Sequence, residues 1–221
     1  MKNNHNILIV DDHPMIISAY IELIKSNWPN FNVITANDCS SVNYKVDQAF
    51  KTNAPFSIAI IDVDITEIDK EKLFSGIDIA KLIQKKIPTC LIIMLTMDTK
   101  GLIINNIVKR IKPLGFICKK DIDNSEFILA LKKIISFEKY YSSSIIVSLG
   151  KIIKSNKNWD KYDTQILMYL EKGVPTKDLP KYINLSLSTI EKRKALLKKE
   201  ILDSKGSDKE LIEKCKMLKL L

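Results

Sequence analysis

The stretch Ile58-Ala59-Ile60-Ile61-Asp62 is an apolar run that stops abruptly on a carboxylate. A short run of this kind, ending in two isoleucines, suits a strand covered on both faces, as in the middle of a parallel sheet. Open α/β sheets gather their chemistry beyond the carboxyl ends of the strands. A bare acid there needs a cation or hydrogen-bond donors, because an unpaired buried carboxylate is costly. Three other apolar runs end on a polar group in the same way. Ile7-Leu8-Ile9-Val10 runs into Asp11-Asp12, Leu91-Ile92-Ile93-Met94-Leu95 into Thr96, and Gly115-Phe116-Ile117-Cys118 into Lys119. An acid pair, an acid, a hydroxyl and an amine, in that order, are the groups of phosphate and metal chemistry.

Between these runs the spacing turns helical. Ile16, Tyr20, Leu23 and Ile24 predict a helix that ends at Trp28-Pro29-Asn30, and Phe31–Ala36 reads as a second strand. A helix around residues 40–52 precedes Pro55 and the central strand. Ile79, Leu82 and Ile83 lie on a helix that stops before Pro88, since the residue preceding proline disfavours helical geometry. Ile103, Ile104, Ile107, Val108 and Ile111 mark the next helix. Phe127, Ile128, Leu131, Ile134 and Ile135 mark another, capped by Asp123 or Asn124. Five such strand-helix units predict a doubly wound five-stranded parallel sheet.

The chain's 221 residues leave room for a second, smaller domain. Residues 138–158 break the pattern: Tyr140 to Ser144, a short linker helix through Ile145, Ile146, Leu149, Ile152 and Ile153, then the polar Ser155 to Asn158. From Trp159 the spacing predicts three or four helices. The first is capped by Asp163 and closed by Gly173. The second is short and capped by Thr176. The third carries Ile190, Leu197 and Ile201 on one face and Lys192, Arg193, Lys194 and Lys198 around the other. Ser207-Asp208-Lys209-Glu210 is a capping box for the last. A short helix, a tight turn and a longer basic helix form a helix-turn-helix, whose second helix enters the major groove of DNA.

Charge agrees with that division. Residues 1–150 hold 18 Lys+Arg against 16 Asp+Glu, whereas residues 151–221 hold 17 against 10, so most of the net +9 sits in the last third. Concentrated basic charge points to a polyanion partner. The four cysteines are scattered without a C-x-x-C pair, which argues against a zinc site or a disulfide framework. No apolar run approaches the roughly 18 residues of a membrane span. No charged-then-apolar leader is seen. A cytoplasmic protein without a membrane partner is expected.

With these residues in view, positions 5–137 resemble the receiver domain of two-component response regulators, through Ile-Leu-Ile-Val-Asp11-Asp12-His-Pro, Ile-Ile-Asp62, Met-Leu-Thr96 and Gly-Phe116-Ile-Cys-Lys119. The resemblance implies a flavodoxin-like fold with strand order 2-1-3-4-5. It also implies that a histidine kinase or phosphotransfer protein phosphorylates Asp62. Asp11, Asp12, Asp62 and the backbone carbonyl of Asp64 would bind Mg2+, Thr96 and Lys119 would contact the phosphoryl group, and Phe116 would be the switch aromatic. Mg2+ bound by one or two carboxylates, water and phosphate oxygens is chemically consistent with this set. One departure is a loop after Asp64 longer by about six residues, around Glu67 to Lys72, before Gly76 arrives.

Asp62-Val63-Asp64-Ile65-Thr66 also fits the D-x-D-x-T signature of haloacid-dehalogenase-like phosphatases. Those enzymes place their acid pair after the lysine, at the end of a later strand. Here the pair comes first in the chain, so the order favours the receiver and a protein that is not an enzyme.

Thr176-Lys177-Asp178-Leu179 and Leu185-Ser186-Leu187-Ser188-Thr189-Ile190 resemble the LuxR-type DNA-binding domain of NarL/FixJ-class regulators. Carried over, the DNA-contacting residues are Lys177, Ser188, Thr189, Glu191, Lys192, Arg193, Lys194 and Lys198. Glu191 has two readings, since Ser188-Thr189-Ile190-Glu191 is itself a capping box. The expected protein is a phosphorylation-switched transcriptional regulator, a homodimer when phosphorylated or bound to double-stranded DNA. Its expected parts are a receiver at 1–137, a linker at 138–158 and a helix-turn-helix domain at 159–221. The alternative is a signalling adaptor whose C-terminal domain binds protein.

Overall fold

The computed structural model describes residues 5–69, 72–154, 159–202, 206–218 and 220–221. By spatial contact the chain divides into two units. One comprises residues 1–98 and 110–145, and the other comprises residues 99–109 and 146–221.

The first unit is built on a six-stranded, all-parallel sheet. Its strands are β1 (Asn6–Val10), β2 (Asn32–Ala36), β3 (Ile58–Asp62), β6 (Leu91–Thr96), β7 (Gly115–Cys118) and β8 (Tyr140–Tyr141), in the order β2-β1-β3-β6-β7-β8. The first five keep the expected doubly wound order, and β3 is buried along its whole length. The sixth is a correction to the five-strand expectation: Tyr140 and Tyr141 pair with Gly115 and Phe116. Two tyrosines followed by serines are too short a run to announce a strand. They form one because the exposed edge of β7 supplies the hydrogen-bonding partners.

The sheet is covered on both faces. Ile7, Ile9, Ile58, Ile60, Ile93, Leu95 and Ile117 form one core with Tyr20 and Ile24 of α1 (Pro14–Asn27) and with Phe127, Leu131 and Ile134 of α5 (Asn124–Ile135). Alternate residues Leu8, Ala59, Ile61, Ile92, Met94 and Phe116 are buried as well. So are Val42 and Val46 of α2 (Cys39–Lys51) and Ile79 and Ile83 of α3 (Gly76–Lys86). Continuous rather than alternating apolar strands are what two-sided burial demands. Asp123 caps α5 by accepting the Glu126 N–H, which resolves the sequence ambiguity in its favour.

The extra segment after Asp64, expected as a loop, holds an antiparallel pair. β4 (Thr66–Asp69) runs against β5 (Lys72–Ser75), and positions 70–71 lie outside the described residues. Ser75 and Asp78 then form a capping box that opens α3.

α4 (Gly101–Ile111) runs from the second unit's first segment into the first unit. α6 (Ser143–Lys154) is the helix foreseen from its isoleucines, and the polar stretch 155–158 lies outside the described residues. Beyond it come α7 (Lys161–Glu171), a 3-10 helix (Thr176–Lys181), α8 (Leu187–Leu202) and α9 (Asp208–Met217). Ile166, Leu167, Leu179, Ile183, Ile190, Leu197, Ile201 and Leu211 form their common core.

Three caps differ from the sequence reading. Asp160, not Asp163, caps α7, while Asp163 returns the bond as the third residue of a capping box. Thr176 opens a 3-10 helix after Pro175 and does not cap it; Pro180 is accommodated within that short element. α8 begins one residue earlier than Ser188, with the Ser186 hydroxyl accepting the Thr189 N–H at 3.3 Å. A shift of three positions at α7 and of two at α8 selects which carboxylate or hydroxyl meets the free amides. Gly173 ends α7 at φ +80°, the left-handed conformation that glycine adopts without penalty.

Candidate phosphoryl-acceptor site and candidate nucleic-acid interface

Sheet register brings the four strand ends together. Val10 pairs with Ile61, so the next residues, Asp11 and Asp62, emerge side by side. Asp62 itself pairs with Leu95, which places Thr96 just beyond it, and Thr96 pairs with Cys118, the residue before Lys119. Asp11, Asp62 and Thr96 are each no more than 2% exposed, whereas half of the Asp12 side chain faces solvent.

Lys119 holds the acids. Its Nζ donates to Asp11 at 2.7 Å and to Asp62 at 2.9 Å, with 7% of its side chain exposed. Asp62 also accepts the Asp64 N–H at 3.2 Å. Burial pushes the Asp62 carboxyl above its ordinary pKa, even though Lys119 and the Asp64 amide oppose that shift. Burial would lower Lys119, yet its bonds to Asp11 and Asp62 prevail and hold the ammonium above its ordinary value. The result is a buried acid with one cation beside it and an open, more polar side at Asp12.

The surrounding loops are tied to the same groups. The Thr96 hydroxyl accepts the Asp98 N–H at 3.0 Å, and the Asp64 side chain accepts the Met97 N–H at 3.2 Å. The loop of Thr96 is thereby fastened to the loop of Asp64. Gly76 fits where no other residue does, since an added Cβ would lie 2.0 Å from the Asp62 carbonyl oxygen. Phe116 is fully buried on β7, edge-on to Tyr141 at 6.1 Å between ring centres.

His13 was not singled out by its sequence position, although it directly follows the acid pair. Its Nδ1 lies 2.6 Å from Asp12 and 3.1 Å from Asp11, and its pKa is raised first by the bond to Asp11 and then by the Asp12 charge. Asp11, Asp12, His13 and Asp62 offer ligand atoms that all fall within 4.8 Å of one another. Clustered carboxylate oxygens of this kind suit a hard divalent cation.

The second unit sorts the basic residues of α8 into two sets. Arg193 reaches Asp163 at 2.9 Å and Asp160 at 3.0 Å, Lys194 reaches Asp208 at 2.9 Å and Lys198 reaches Asp208 at 2.7 Å. Lys192 and Lys199 are exposed, as are Ser188, Glu191, Ala195 and Leu196. Lys177, on the 3-10 helix, is exposed too, and Thr189 is half-buried. The helix cap is made by Ser186, so Glu191 stands one turn beyond it on the exposed face. Lys199 was missed in the sequence, although it lies two turns from Lys192.

No protein-family model matches the chain. It is 24% identical over 201 residues to the transcriptional regulatory protein RcsB of Salmonella typhi, which spans 89% of this chain and 88% of that protein. RcsB of Escherichia coli (strain K12) is 23% identical over the same lengths. Among solved structures, RcsB of Salmonella enterica serovar Typhimurium bound to promoter rprA with the phosphomimetic BeF3- superposes with a TM-score of 0.65 at 21% identity, covering 97% of this chain and 99% of that one. A LuxR-family response regulator from Aurantimonas gives 0.53 at 20% identity, over 67% of this chain and 97% of its own. The chain therefore has the fold of a two-component response regulator, a flavodoxin-like parallel-sheet unit followed by a helix-turn-helix unit.

Proposed function

We propose that this protein is a response regulator, phosphorylated on Asp62 by a histidine kinase or phosphotransfer protein and acting as a DNA-binding transcriptional regulator in the cytoplasm. The observation that carries the reading is Asp62 itself: a buried acid at the end of the central strand, bonded to Lys119 and flanked by Asp11 and Thr96. In the transfer, an Asp62 carboxylate oxygen attacks phosphorus. The bond from phosphorus to the donor atom breaks, and that atom keeps the electron pair. Lys119, already within reach, becomes a partner for the new phosphoryl oxygens. The Thr96 hydroxyl, whose present bond is to a loop amide, supplies a further donor.

The carboxylates of Asp11, Asp12 and Asp62, with the Asp64 carbonyl, would hold Mg2+, which supplies charge neutralisation during phosphoryl transfer. Charge added at Asp62 redistributes the bonds of Lys119 and Thr96, and Phe116 on the adjoining strand responds as the switch aromatic. The working division is a receiver at 1–137, a linker at 138–158 and a DNA-binding domain at 159–221, with homodimers reading paired half-sites. RcsB, its relative over most of its length, is a transcriptional regulator solved on promoter DNA, which supports the same role here. On this reading the chain regulates and does not turn over a substrate of its own.

The test is to incubate the protein with acetyl phosphate and Mg2+ and to map hydroxylamine-labile phosphate. Phosphate on Asp62, lost in Asp62→Asn and reduced when Asp11 and Asp12 are both Asn, is the expected result. Undiminished labelling of Asp62→Asn would place the acceptor elsewhere and remove the reading.

A further inference from the structure

Five basic residues stand on α8, and the fold treats them in two ways. Arg193 makes a forked contact to Asp160 and Asp163 and lies over the Tyr162 ring at 5.5 Å. Lys194 donates to Asp208 and to the Thr176 hydroxyl at 2.7 Å, and Lys198 meets the other oxygen of Asp208. The acids stand in the opening turns of α7 and α9, where negative charge is already favoured by the exposed amides. Each acid is thus held from two sides, and α8 is pinned in rotation between two helix starts. An isolated surface pair contributes little, but a forked arginine and a shared carboxylate constrain geometry as a network.

Among the described residues, the opposite side of α8 has no such ties. Ser188, Glu191, Lys192, Ala195, Leu196 and Lys199 are exposed, and their spacing of three, four and seven puts them on one stripe. We propose that Arg193, Lys194 and Lys198 are positioning residues and that duplex DNA is met by this stripe, with Lys199 as a phosphate contact two turns beyond Lys192. The inference rests on the DNA-binding reading and refines it. Of the α8 cations, it assigns the duplex those whose charge is not already neutralised by a carboxylate. Arg193, Lys194 and Lys198 instead set the angle at which the stripe is presented.

The experiment measures binding of the full chain to a non-specific duplex across a salt series. It also selects binding sites from a random duplex library and records thermal unfolding. Lys199→Ala is expected to reduce the slope of log affinity against log salt by about 0.9, one phosphate contact, with unfolding unchanged. Arg193→Met and Lys194→Met are expected to keep the wild-type slope, to unfold earlier and to blur the selected motif. Lys194→Arg is expected to restore the motif. Asp208→Asn, which leaves both lysines charged, keeps the inference testable if the methionine variants do not fold: a positioning role predicts an unchanged slope and a blurred motif. A shallower slope in Arg193→Met or Lys194→Met, a steeper one in Asp208→Asn, or an unaltered one in Lys199→Ala overturns the inference. Failure of the wild type to bind any duplex at low salt removes the DNA-binding reading and this refinement together.

Discussion

The Lys119 ammonium lies 2.9 Å from the Asp62 carboxylate, and both groups are nearly withdrawn from solvent. Lys119 also bonds Asp11, so a single cation serves two buried acids. Removing one partner from a buried charge cluster leaves the others uncompensated, and that loss usually exceeds the net worth of the original pairing.

Lys119→Met is therefore expected to destabilise the metal-free protein by about 3 kcal/mol, at the lower end for a broken buried pair because Asp62 can take up a proton. Urea denaturation with and without Mg2+ checks this. The deficit is expected to shrink when Mg2+ is added, since a bound divalent ion replaces the missing positive charge. Equal deficits in both conditions would speak against the acids as the metal site.

Asp62 also sets a pH dependence. Burial raises its pKa in the folded state despite Lys119, so the folded protein binds more protons than the unfolded chain between the two pKa values. Stability from this group accordingly falls as pH rises through that interval and stays lower above it. Asp62→Asn, which carries no charge, is expected to be more stable than wild type at neutral pH without metal. The difference is expected to close as pH falls below roughly 4, the ordinary carboxylate range. A gap that widens on acidification would contradict the assignment. Thermal unfolding across a pH series decides it.

Gly76→Ala places a methyl group 2.0 Å from the Asp62 carbonyl oxygen and 2.9 Å from the Val63 Cα. Alanine ordinarily favours a helix over glycine, so a destabilised variant isolates the close approach. A loss of about 3 kcal/mol is expected, the upper end for overpacking because the obstructing atoms are backbone. Acetyl phosphate labelling is expected to slow as well, since Asp62 must move. Wild-type stability and labelling would show that the first turn of α3 yields freely.

Glu191 and Lys192 stand together on the exposed stripe of α8. Lys192→Ala is expected to relax discrimination at one base position, a loss of about 1–3 kcal/mol for a good contact to guanine. Glu191→Lys is expected to change sequence preference with little change in unfolding, because Ser186 already supplies the helix cap. Selection from a random duplex library compares the motifs. Identical motifs from wild type and both variants would mean that another face reads the DNA.

Much of the first unit was legible because its information is local. Each of the runs before Asp11, Asp62, Thr96 and Lys119 is a few residues long, and two-sided burial writes itself as uninterrupted apolar sequence. Helical spacing between them, and prolines at their limits, were enough for a doubly wound parallel sheet, while its strand order followed from the resemblance to receiver domains. β8 was not legible: Tyr140 and Tyr141 form a strand only because β7 leaves an edge beside them. The segment after Asp64 hid its pairing too, since Thr66–Asp69 and Lys72–Ser75 have no strong strand pattern.

By itself, the sequence determined five of the strands, the polar ends of four of them and a basic helix following a short one. The register that sets Val10 against Ile61 and Thr96 against Cys118 was decided only by the tertiary structure, and with it the meeting of Lys119 with Asp11 and Asp62. The fate of the charges on α8 was decided in the same way. Arg193, Lys194 and Lys198 look like a free basic face in the chain, yet packing brings Asp160, Asp163 and Asp208 to them from the starts of two other helices. Periodicity is a property of neighbours along the chain, whereas neutralisation depends on distances between residues far apart in it. Those distances exist only once the cores have packed.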